Sequence, residues 1–171
     1  MKKLLTILTI TSIFLGVSVQ SQNMNNSDLE KIIYVVSDSL QGVTGNWQFL
    51  IEDKLFICVT DEKHNRMRII SPIMEEVKLS NTDRQKLLEA NFHTALDARY
   101  AIANDYLWAV FIHPLKELSK DQVMDAISQV YTAVLTYGTT YSSTGLSFPW
   151  KKGENENAKE VKTKLKKEKK T

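Results

Sequence analysis

The sequence predicts one α+β domain in the order α-β-β-β-α-β-β-α, with a five-stranded antiparallel sheet packed against helices. Three observations point there. Apolar runs at residues 47–52, 55–60, 66–71, 99–103 and 106–112 have strand length and end in polar turns. Two other stretches, near 28–40 and 81–96, repeat apolar side chains at helical spacing. Finally, Val123, Ile127, Val130, Val134, Tyr137 and Tyr141 step by fours and threes, the seam of a long helix.

Residues 1–21 come first and read as a secretory signal peptide. Lys2 and Lys3 form a positive start, residues 4–15 an apolar centre, and Val19 and Ser21 the small-residue cleavage site that leaves Gln22 at the new N-terminus. The apolar run is shorter than the ~20 residues a membrane span needs, so no integral span is expected in the mature form. The chain is therefore expected to be exported, to a bacterial periplasm or beyond.

Ser27 or Asp28 can cap the first helix, which the repeat Leu29, Ile32, Ile33, Val36, Leu40 carries to about Leu40 before Gly42 and Gly45 end it. Trp47, Phe49 and Ile51 alternate with Gln48, Leu50 and Glu52, and Asp53-Lys54 turns the chain. Residues 55–60 (LFICVT) are apolar on both sides, as a central strand would be. Residues 61–65 make a polar turn, 66–71 a third strand, and Pro72 ends the pairing for want of an N–H. Short connections make this an antiparallel meander.

Asn81, Thr82 or Asp83 caps the second helix, with Gln85 near the position of a capping box and Leu88, Phe92, Ala95 and Leu96 as its inner stripe. Strands at 99–103 and 106–112 join through Asn104-Asp105, residues that tolerate the positive φ of a two-residue hairpin turn. His113-Pro114 stops the last strand. Ser119, with Asp121 and Gln122 behind it, starts the last helix; Met124, Tyr131 and Leu135 widen its seam, and Gly138 or Gly145 bends or ends it. Phe148-Pro149-Trp150 closes a domain spanning 22–150, and the Lys/Glu-rich residues 151–171 form a tail of disordered composition.

Composition limits the function classes. The chain has 171 residues, 43% hydrophobic and 25% charged, enough for one domain with a real core. A lone Cys58 excludes an internal disulfide framework and a cysteine-built zinc site. The net charge of +2 hides an asymmetry: 151–171 hold nine Lys against four Glu, a net +5, while 22–150 hold eleven Lys/Arg against sixteen Asp/Glu, a net −5. A mildly acidic domain does not make the basic face that nucleic acid demands, so no nucleic-acid partner is expected. The basic tail can make weak contact with anionic surfaces, the basis of an alternative reading as an envelope-associated structural protein.

With the element order, the run Leu87-Leu-Glu-Ala-Asn91 followed by the hairpin Tyr100-Ala-Ile-Ala-Asn-Asp-Tyr-Leu-Trp108 resembles the class I type III secretion chaperone-like fold, and the YbjN-type domains that share it. The resemblance spans roughly Asp28 to Tyr141. It implies a non-enzymatic protein-binding module, often a homodimer. It carries the fold and the binding habit, not the client.

Chemistry is sparse. His93 and Asp97, four apart, would share a helical face and are the candidate metal pair; the alternative is a polar rim. His64 belongs to a charged turn and His113 to a strand end. Cys58 lies inside an apolar strand, where a thiol is inert. Asp61-Glu62 and Glu75-Glu76 are sequence neighbours rather than carboxylates facing across a cleft. No glycine spacing forms a phosphate loop. No catalytic set, cofactor or bound metal is therefore expected; the alternative is a small enzyme or ligand-binding protein built around groups such as His93. Trp47 and Trp108 are expected in the core. The interface candidates are Val123, Ile127, Val130, Val134, Tyr137 and Tyr141, against a protein partner or a second copy.

Overall fold

The computed structural model describes residues 23–144. The leader 1–21, the closing Phe148-Pro149-Trp150 and the tail 151–171 lie outside the described residues. Within them run α1 (Asn26–Val36), β1 (Ser39–Val43), β2 (Asn46–Ile51), β3 (Lys54–Asp61), β4 (Arg66–Glu75), a 3-10 turn (Glu76–Lys78), α2 (Asn81–His93), β5 (Arg99–Ala103), β6 (Tyr106–His113) and α3 (Lys120–Thr136). The six described strands form one antiparallel sheet in the order β1-β2-β3-β4-β6-β5.

The sheet thus has six strands where five were expected. The added one is β1, read from sequence as the end of the first helix. Leu40 continues the helical repeat, but α1 stops at Val36, and Ser37 is already extended at φ −98° and ψ 148°. Gly42 makes the hairpin to β2 possible. It sits at φ +124°, and a Cβ there would lie 2.2 Å from the Asn46 carbonyl oxygen, so only glycine fits. Pro72 does not end β4 either. The strand continues to Glu75 through a bulge between Pro72 and Met74, which accommodates the missing N–H.

Caps place the helices. Ser80, not Asn81, Thr82 or Asp83, caps α2: its hydroxyl accepts from the Asp83 N–H while Asp83 accepts from the Ser80 N–H. Ser119 and Gln122 make the same reciprocal pair at α3, as the sequence indicates. Asn104 and Asp105 both take positive φ, 50° and 62°, in the β5–β6 turn.

One sheet face and the helices enclose the core. Trp47, Phe49, Phe56, Cys58, Met67 and Ile69 meet Leu29 and Ile33 of α1 and Val123 and Val130 of α3, all buried. Phe49 stacks on Phe56 at 5.3 Å, and Phe56 on Tyr131 at 6.4 Å. Helix α3 crosses β4, β6 and β5, α1 lies beside it, and α2 sits over β5.

Candidate docking surfaces

The structure separates the residues that sequence spacing joins as a metal pair. Helix α2 ends at His93, so Asp97, an exposed residue of the loop that follows, lies beyond the helix and shares no helical face with it. Among the described residues no three His, Cys, Asp or Glu side chains converge as a metal-binding set. His64 is in its charged turn, Nδ1 2.6 Å from Asp61 Oδ2, and that hydrogen bond holds the exposed Asp61 carboxyl below the usual carboxylate range. His113 closes β6 with Nδ1 2.8 Å from the Pro114 carbonyl oxygen. Cys58 is wholly buried, and loss of water pushes its thiol up to about 12, far from a nucleophile at neutral pH.

The α3 seam is spent inside the chain. Val123, Ile127, Val130 and Tyr141 are buried and Val134 and Tyr137 half-buried, because that stripe covers the sheet rather than facing out. Helix α3 ends at Thr136, so Tyr137 and Tyr141 belong to the following segment. There the two rings meet edge to face at 5.6 Å, and Tyr141 meets Tyr100 at 6.2 Å. Within the single chain the six interface candidates thus pack as core and strap. Helix α2 is corrected the other way: Leu87 and Ala90 face in, while Leu88 and Phe92, expected inside, are 72% and 79% exposed. A cap at Ser80 and the bonds of Asn91 to β5 set that rotation.

Two apolar surfaces remain. The first is the sheet face opposite the helices, which no described element covers. Cross-strand register aligns Val59, Arg68 and Ile112 in one row and Ile57, Ile70 and Val110 in the next. Leu50 pairs with Leu55 at one side, and Trp108, expected in the core, lies half-buried on this face with its ring 5.9 Å from Tyr106. Ile112 is 56% exposed. Arg66, Arg68 and Arg99 share the face by the alternation of their strands. The sequence signal for it was present: residues 55–60 and 106–112 are apolar on both sides. Central strands of a sheet covered on both faces read that way, and here only one face is covered.

The second surface is a groove of about 350 Å³ between α2 and β5, lined by Arg84, Leu87, Leu88, Asn91, Tyr100 and Ile102 among others. Strand β5 is a sheet edge. The Asn91 side chain stands in for a neighbouring strand there, donating to the Tyr100 carbonyl at 2.9 Å and accepting from the Tyr100 N–H at 2.8 Å.

No family model matches the chain, and no curated protein sequence does. Solved structures do align with it. The HopA1-SchA chaperone-effector complex matches with TM-score 0.49 and 11% identity, over 66% of this chain and 88% of that one. The Yersinia pestis type III secretion chaperone SycH, solved in complex with a stable fragment of YscM2, matches with TM-score 0.51 and 13% identity, over 66% of this chain and 98% of that one. At the level of fold, this chain is similar to the type III secretion chaperones.

Proposed function

We propose that this chain is an exported, non-enzymatic, chaperone-like binding module that holds a protein partner on its open sheet face, a second copy of itself first among the partners. The exposed Val59 and Ile112 on either side of Arg68, with the row Ile57–Ile70–Val110 next to them and Leu55 and Trp108 beyond it, carry the reading. Contiguous apolar surface of this kind marks an interaction site. Six strands ~4.8 Å apart over ~20 Å make a face of roughly 600 Å² in projection, of the order a standard interface takes from one partner. The fold shared with SycH, solved with a YscM2 fragment, supports a protein rather than a small ligand. The leader supports export.

The test is sedimentation of the mature chain over a range of concentration, beside the double variant Val59→Lys/Ile112→Lys. Both positions are exposed, so the variant folds. The expected result is a wild-type dimer and a monomeric variant. Should wild type stay monomeric, cross-linking in the source's envelope must find a partner that Val59→Lys/Ile112→Lys loses and Leu88→Ser keeps; finding none overturns the reading. N-terminal sequencing of the exported chain should begin at Gln22.

A further inference from the structure

We propose that the second copy, given the dimer proposed above, lies across the open sheet face in one antiparallel register, with Arg68 of each chain set against Glu75 of its partner.

Arg68 sets the requirement. It stands exposed in the row between Val59 and Ile112. Of the other cations on this face, Arg66 lies opposite Asp61 across the β3–β4 ladder, and Arg99 donates to the Asn91 carbonyl. Among the described residues Arg68 makes neither a hydrogen bond nor an ion pair. A purely apolar partner laid over it would strip its water and return nothing. Whatever covers this row therefore brings an acceptor, and a carboxylate matches a guanidinium best.

The same strand supplies one. Beyond the bulge at Pro72, Glu75 pairs with Tyr106 and so returns to the open face, exposed. Arg68 pairs with Ile112, six residues from Tyr106 on β6, so the two charges stand ~20 Å apart along β4. A two-fold axis between the facing sheets, crossing the strands midway at the Ser71–Ala109 pair, exchanges those ends. Each Arg68 then meets the partner's Glu75. Between these contacts Ile112 falls on the partner's Tyr106, Val110 on its Trp108 and Ile70 on its Pro72, apolar on apolar throughout. Aligned sheets cross at ~30°, which swings a point ~10 Å from the axis sideways by about 5 Å, one strand spacing and within the reach of an arginine. In the single chain Glu75 Oε2 holds Lys78 Nζ at 3.1 Å, an exposed pair of the weak kind that leaves the carboxylate able to take Arg68 as well.

The experiment is sedimentation of the mature chain beside Arg68→Glu, Glu75→Arg, the double swap Arg68→Glu/Glu75→Arg, and an equimolar mixture of the two single variants. Both positions are exposed, so the variants fold. Each single variant breaks both symmetry-related pairs and should weaken the dimer roughly hundredfold. The double swap should recover it to within about tenfold of wild type, and so should the mixture, where each altered chain meets the opposite charge on the other. Arg68→Leu should also weaken association; tighter association in that variant would mean that Arg68 is buried without a partner, and overturns the pairing. A wild-type dimer that Arg68→Glu leaves intact, or that neither the swap nor the mixture recovers, overturns the pairing while the dimer stands. A monomeric wild type overturns the dimer and this register with it.

Discussion

Cys58 faces Trp47 on one neighbouring strand and Ile69 on the other, with no access to water. Burial raises its thiol to about 12 from an ordinary 9.0, and burial likewise raises the Tyr100 and Tyr131 phenols. These groups keep their protons in the fold at pH values where the unfolded chain has released them. Stability is therefore intact below about pH 9 and falls as pH climbs from there toward 12. In urea titrations across that range, Cys58→Ala should fall less steeply with pH than wild type, by up to ~1.4 kcal/mol per pH unit. Equal slopes would mean the thiol is not shielded as described. The same thiol should ignore Ellman's reagent until the chain is unfolded. Its inertness was legible in the sequence, because LFICVT gives a cysteine no polar neighbour to stabilise a thiolate. The placing of Leu88 and Phe92 was not legible: they are four apart on an apolar-looking stripe, and the bonds that turn them outward come from Asn91 and Ser80, whose roles depend on where β5 lies.

Helix ends and sheet edges decide the elements. Ser80 and Ser119 each hold a capping box, and Ser80→Ala or Ser119→Ala should cost about 1 kcal/mol in chemical denaturation. Ser119 was readable because Gln122 follows at the right distance; Ser80 was masked by three further capping residues directly after it. At the β5 edge, Asn91→Ala strands the Tyr100 N–H and C=O. The expected cost is about 1–3 kcal/mol, with faster exchange at the Tyr100 amide than elsewhere in the sheet. An unchanged exchange rate there would show that another group takes over the edge. β1 escaped the sequence because Leu40 fits the helical repeat as well as it fits a strand. The fact that separates the two is the close approach of Gly42 to the Asn46 carbonyl, a contact between residues that only the folded hairpin brings together.

At the scale of the molecule the three described helices serve one face of the sheet, and the face that no described element covers is what the binding proposal uses. At protein concentrations low enough to keep wild type monomeric, lysines at Val59 and Ile112 should leave stability within ~0.5 kcal/mol of wild type, because both side chains already meet water in the single chain. A large loss of stability that depends on protein concentration would instead show that association and folding are one event. The element order and most strands were legible from periodicity, while which face stays open was not, since both-sided apolar strands are equally the mark of a sheet buried on both faces. One further consequence concerns time rather than architecture. Every sheet neighbour is also a chain neighbour except β4 and β6. During synthesis β1 to β4 can pair as they emerge, but the β4 border must wait until α2, β5 and β6 have been made. For that interval a ten-residue strand offers a bare rim to other nascent chains. Pro72 and the bulge beside it interrupt that rim, so a residue that looks like a flaw in the finished ladder acts as a guard while the ladder is still incomplete.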